Sequence, residues 1–229
     1  MKTLVIVIFS LLSIIPQSIV FADLIPIGGG VSTVYNGIPF FFVSDMYVNH
    51  TPPNPDDPGT QFYNRDTPQL FYSTRVHFLS SLAWSHYVIQ DTVVGEFRGY
   101  YTDGSFDYVQ LIAGINTAEW AWDRPENASY ILHNRAEVGF SYLTNQGSNY
   151  WYEAHRYYGY LDTNPSKELE SFQLIMADSF YNSPSNWLGI GIPAITIEGE
   201  PIPEPSTILL LTIGLGSMTA IGIRKKCKL

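Results

Sequence analysis

Arg135-Ala136-Glu137-Val138-Gly139-Phe140-Ser141-Tyr142-Leu143-Thr144 alternates apolar and wet positions with a period of two. Ala136, Val138, Phe140 and Tyr142 share one face and Arg135, Glu137, Gly139 and Ser141 the other, because successive side chains of an extended chain point to opposite sides. The segment predicts a half-buried strand. Asn145-Gln146-Gly147-Ser148 then turns the chain into Tyr150 to Leu161, which carries Tyr150, Tyr152, Tyr158 and Tyr160 on one face and Trp151 and Tyr157 on the other. A strand with rings on both faces is either covered on both sides or holds a ligand.

Working outward, strand-like runs occupy 70–80, 84–90 and 92–101, and Asp103-Gly104 is a two-residue hairpin signal leading into Phe106 to Ala113. Val31 to Val48 reads as two short strands around Gly37-Ile38-Pro39. Between them lies His50 to Pro68, whose Pro52, Pro53, Pro55, Pro58 and Pro68 exclude a helix or a central strand and predict a long loop. Downstream, Asn164-Pro165-Ser166-Lys167-Glu168 has the form of a helix start, and Leu169, Phe172, Ile175 and Met176 have helical spacing; Phe172, Leu174 and Met176 also fit a strand. The strand is preferred because its neighbours are strands and Gly189 to Ile197 reads as a final one. Short strands with turns about every ten residues predict an all-β fold, specifically an antiparallel β-sandwich of jelly-roll topology.

Composition agrees. The chain of 229 residues holds 16 Tyr, 13 Phe and 5 Trp, a bias towards strands. Its net charge is −9, and between Asp23 and Pro203 six Arg and one Lys face 20 Asp and Glu, a net of −13. Nucleic acid needs clustered Lys and Arg, so no nucleic-acid partner is expected. The one cysteine, Cys227, lies outside this region, so the expected domain has no disulfide and depends on burial.

Both ends carry transport signals. Met1 and Lys2 precede an aliphatic run from Leu4 to Ile15 and then Val20-Phe21-Ala22, the order of a secretory signal peptide over residues 1–22 with signal peptidase as its processing enzyme. At the other end, Pro203-Glu204-Pro205 precedes an uncharged run from Thr207 to Ile223 and then Arg224, Lys225, Lys226 and Lys228. As a helix that run rises about 26 Å, close to the roughly 30 Å hydrocarbon core of a bilayer. The basic end cannot easily cross, since Lys or Arg at the bilayer centre costs about 2.5–3.5 kcal/mol. The expected topology is a single C-terminal transmembrane helix, 207–223, with the basic tail 224–229 in the cytoplasm and the domain 23–199 outside.

Residues 200–229 resemble the PEP-CTERM sorting signal of Gram-negative bacteria. Ile202 stands where the common pattern has Val, and Cys227 interrupts the basic run. The resemblance implies processing by the membrane protease exosortase near Pro203, Glu204 and Pro205, followed by release or attachment at the cell surface. It also implies a role in exopolysaccharide and biofilm matrix. The resemblance stops at the tail.

For the domain itself, no metal, phosphate or nucleophile signature is present, and no cofactor and no metal are expected. Paired acids are the next chemistry to weigh. Glu119 and Asp123, four apart on a strand, would have Cα atoms roughly 13 Å apart, too far to pair. Glu153 and His155 share a face at roughly 7 Å and are the candidate catalytic pair of a secreted glycan-acting hydrolase. Asn54, Asp56 and Asp57 cluster hard oxygen ligands of the kind calcium takes, without matching a defined loop. Trp120, Trp122, Trp151 and Tyr157 are candidate glycan-stacking residues, since flat rings with a polar edge match sugar faces; a β core uses the same residues. Two functions follow: a structural or extracellular polysaccharide-binding matrix component, or the hydrolase.

Overall fold

A computed structural model describes residues 23–27, 32–50, 60–127, 129–181 and 188–202. The expected signal peptide 1–22, the Asn54-Asp56-Asp57 cluster, the motif 203–205, the 207–223 run and the 224–229 tail lie outside the described residues.

The described chain is all-β apart from one short helix. Its strands are β1 (Asp23–Ile27), β2 (Ser32–Tyr35), β3 (Ile38–His50), β4 (Phe62–Ala83), β5 (Val93–Tyr101), β6 (Phe106–Ile112), β7 (Val138–Thr144), β8 (Tyr152–Asp162), β9 (Glu168–Met176) and β10 (Leu188–Pro201), with α1 at Asp178–Tyr181. All pair antiparallel in the order β2-β3-β10-β4-β9-β5-β6, with β1 on β10, and β8 then β7 branching from β4. No helix among the described residues is long and apolar enough to cross a membrane.

The 22-residue β4 is the spine. One edge pairs with β10 from Phe71 to Ala83, while the other pairs first with β9 (Phe62 to Tyr72) and then with β8 (Arg75 to Ser80). The expected loop to Pro68 therefore ends earlier, at Phe62. Pro68 is tolerated because the β4–β9 register shifts between Asp66 and Phe71, where no ladder N–H is required of it.

The expected strand 84–90 does not form. Trp84 adopts φ 56°, a left-handed conformation that ends β4, and Val88 N–H donates to Ser85 O at 3.0 Å to close a turn.

Alternation in β7 holds: Ala136 is buried just before it, Val138, Phe140 and Tyr142 are half-buried, and Glu137, Ser141 and Leu143 are exposed. Gly139 is the departure, buried at the register shift opposite β8, where an added Cβ would meet Leu79 Cδ2 at 2.5 Å. On β9 Leu169, Phe172, Leu174 and Met176 are all fully buried. The parity change between Leu169 and Phe172 comes from a bulge opposite Tyr100 and Tyr101, and it is this bulge that produces the helix-like spacing in the sequence.

The core gathers side chains from both groups of strands that β4 joins. Phe97 of β5 packs against Phe78 of β4 (ring centroids 5.0 Å) and Phe172 of β9 (5.4 Å), all three fully buried. Each such ring contributes about 1.5–3 kcal/mol by leaving water.

Candidate functional site

The long β6–β7 connection builds the site because its middle is tied down on two sides. Leu82 N–H donates to Ala118 O (2.7 Å) and Trp120 N–H to Leu82 O (2.8 Å), so Ala118 to Trp120 runs beside the end of β4; His155 N–H of β8 donates to Trp120 O (2.8 Å). This seats Glu119 inward, 2 % exposed. Its Oε2 accepts from Ser85 N–H (3.0 Å) and Ser85 Oγ (2.6 Å), and its Oε1 from Ala121 N–H (3.4 Å). Burial pushes the Glu119 carboxyl up from its ordinary value, and the Ser85 and Ala121 donors pull it back only in part.

His133 locks the same peptide. Its Nε2 lies 3.2 Å from Glu119 N–H and must accept, so Nδ1 carries the proton and donates to Val88 O at 3.1 Å. Both nitrogens are used by the neutral ring, and burial holds its pKa below the usual value.

Above Glu119 opens a cleft of about 410 Å³. Trp84, Trp120 and Tyr142 supply rings to its wall, and Arg124 and Arg156 supply guanidinium groups. Arg124 leans on Glu126 (3.3 Å). Arg156 donates to Tyr142 Oη (3.2 Å) and His155 O (3.3 Å), and among the described residues it has no carboxylate partner. Two of the few basic groups in an acidic domain thus meet in one aromatic-walled concavity, with a single buried acid at its base.

The sequence candidates divide. Trp120 lines the cleft, half-buried against Tyr152 at 6.0 Å. Trp122 packs beside Ala118, Ala136 and Tyr157, edge-on to His133 (5.5 Å) and under Arg135 (5.6 Å). Trp151 stands 65 % exposed, away from the cleft lining. Tyr157 is fully buried and donates its hydroxyl to Glu119 O at 2.7 Å, so its ring presents no face to a ligand.

Glu153 and His155 do come together, joined by Asp123: one ligand atom from each lies within 4.8 Å of the others. His155 Nε2 contacts Asp123 Oδ2 at 2.6 Å. Asp123 reaches it because the chain turns after Trp120 instead of running on as a strand, with Arg124 N–H donating to Ala121 O at 3.1 Å. Trp84, Arg124, Tyr142 and Arg156 escaped the sequence reading as site residues. The nearest local signal is the polar Ser85-His86 pair after Trp84, inside the run 84–90 whose composition predicts a strand.

The described residues define an all-β domain bearing an aromatic cleft. Residues 201–226 match the PEP-CTERM protein-sorting motif. No curated protein and no solved structure matches the chain. The motif supports an exported protein handled by exosortase and anchored at its C-terminus.

Proposed function

We propose that the exported domain is a carbohydrate-binding component of the extracellular matrix, engaging exopolysaccharide through the cleft walled by Trp84 and Trp120. The supporting observation is the convergence of these rings with Arg124 and Arg156 over Glu119. Flat rings offer sugar faces a stacking surface, and guanidinium forks bind hydroxyls and carboxylates. The left-handed Trp84 backbone adds support, since a bulky residue at φ 56° costs of order 1–3 kcal/mol and such strain clusters at ligand sites.

Packing of Phe78 against Phe97 supports a two-layered, sandwich-like body for this domain. Around it, a signal peptide over 1–22 would start export, and a transmembrane helix over 207–223 with the basic stop 224–229 would hold the chain until exosortase acts at Pro203, Glu204 and Pro205. The protein would then sit at the cell surface or in the biofilm matrix.

A glycan-acting hydrolase is the second reading, favoured by the closeness of Asp123 and Glu153, since retaining enzymes hold two carboxyl groups about 5–5.5 Å apart. Both acids are exposed and neither lines the cleft, which makes this the weaker reading. Glu153→Gln abolishing release of reducing ends from matrix polysaccharide would establish it; unchanged release would remove its leading residue.

Trp84→Asn tests the binding reading, because Asn tolerates left-handed φ and lacks the ring. On a glycan array the wild-type chain should bind matrix polysaccharide, and Trp84→Asn should weaken it about tenfold, near the 1.4 kcal/mol of one stacked ring. Absence of sugar binding by the wild type would refute the proposal.

A further inference from the structure

We infer that Asp123, Glu153 and His155 form a binding site for a divalent transition ion of the zinc class, separate from the cleft and independent of its assignment. Asp123 of the β6–β7 connection and the neighbouring Glu153 and His155 of β8 place a carboxylate oxygen, a second carboxylate oxygen and an imidazole nitrogen within 4.8 Å of one another. The donor set is one neutral nitrogen and two anionic oxygens. Imidazole selects zinc and its neighbours over calcium or magnesium, which take oxygen, and three protein ligands leave a position open to water.

Two further features shape the site. His155 is 2 % exposed and turns its Nε2 to Asp123 Oδ2 at 2.6 Å, so the buried ring is held with that nitrogen facing the carboxylate; its Nδ1, on the other edge of the ring, has no hydrogen-bond partner among the described residues and takes no part in the site. Asp123 is also held from behind. Arg135 donates to its Oδ1 and is itself stacked over Trp122 at 5.6 Å, which leaves Oδ2 turned to His155. Metal-binding carboxylates are typically oriented by such outer partners. Glu153 is exposed and can rotate to close on an ion. The acidic exterior, net −13 between Asp23 and Pro203, favours cation capture.

The sequence hides this site because Asp123 lies in a turn of the β6–β7 connection, while Glu153 and His155 lie on β8. The test is calorimetric titration of the untagged full-length chain, in mild detergent, with ZnCl2 and separately with CaCl2. One zinc should bind per chain and calcium should give no matching heat. Glu153→Gln, a surface change that leaves the fold intact, and Asp123→Asn should each weaken zinc binding at least about tenfold. No zinc binding by the wild type, unchanged affinity in both variants, or preference for calcium would overturn the site.

Discussion

Ser85 donates both its backbone N–H, at 3.0 Å, and its hydroxyl, at 2.6 Å, to one oxygen of Glu119. Through this double bond the turn after β4 is fastened to the β6–β7 connection, and the two walls of the cleft become one unit. Losing it is expensive: Glu119→Ala would orphan both Ser85 donors and the Ala121 N–H and should cost about 1–3 kcal/mol in urea unfolding.

Glu119 and His133, joined through one peptide, should tilt stability in opposite directions with pH. Burial raises Glu119 above 4.5, so the folded state keeps a proton the unfolded state has lost, and this contribution falls as pH rises from 4.5 through the raised value. Burial lowers His133 below 6.5, so the unfolded state takes the proton first, and this contribution is lost as pH falls from 6.5 through the lowered value. Unfolding midpoints across pH 4–8 should accordingly show Glu119→Gln steepening the rise of stability with pH above 4.5, and His133→Gln flattening it below 6.5. Parallel profiles for wild type and both variants would contradict the buried assignments.

Gly159 of β8 is expected to resist substitution. A Cβ there would stand 2.5 Å from two atoms of the fully buried Phe78 ring, itself wedged against Phe97. Gly159→Ala should lower stability by about 1–3 kcal/mol through overpacking. Gly104, at a hairpin with open space around it, suffers only from its φ of +80°. Thermal melts should therefore place Gly159→Ala below Gly104→Asn, since Asn tolerates that backbone conformation.

How far the fold was legible follows from where pairing is regular. Ala136 to Tyr142 kept its alternation because β7 has one covered face, and the burial of β10 matched its apolar run. Pro68 misled because its missing N–H is harmless at a register shift that only long-range pairing creates. Leu169 and Phe172 looked helical because a bulge moved both to the same side. The site was harder to read. Trp120, a candidate by its chemistry, lines the cleft, whereas Trp84, Arg124 and Arg156 are brought beside it by hydrogen bonds of Leu82 and His155 to a strand-free connection, which no local pattern encodes. Glu119 and Asp123 were spaced as though on one strand, and the turn between them sent one into the cleft and the other to His155.

The tail gives a prediction in cells. Replacing Pro203, Glu204 and Pro205 with alanine should leave a larger, membrane-retained species on immunoblots of fractionated cells, because exosortase would lose its motif while the basic stop remained. Equal release of the wild type and the variant would count against processing there.

The most direct measurement is hydrogen–deuterium exchange of the full chain with and without polysaccharide from the producing cell's own matrix. Added polysaccharide should slow exchange in residues 84–86, 119–124 and 142–147, the segments that wall the cleft, and leave β6 unaffected. Protection confined to other surfaces, or none at saturating polysaccharide, would contradict carbohydrate binding through the cleft.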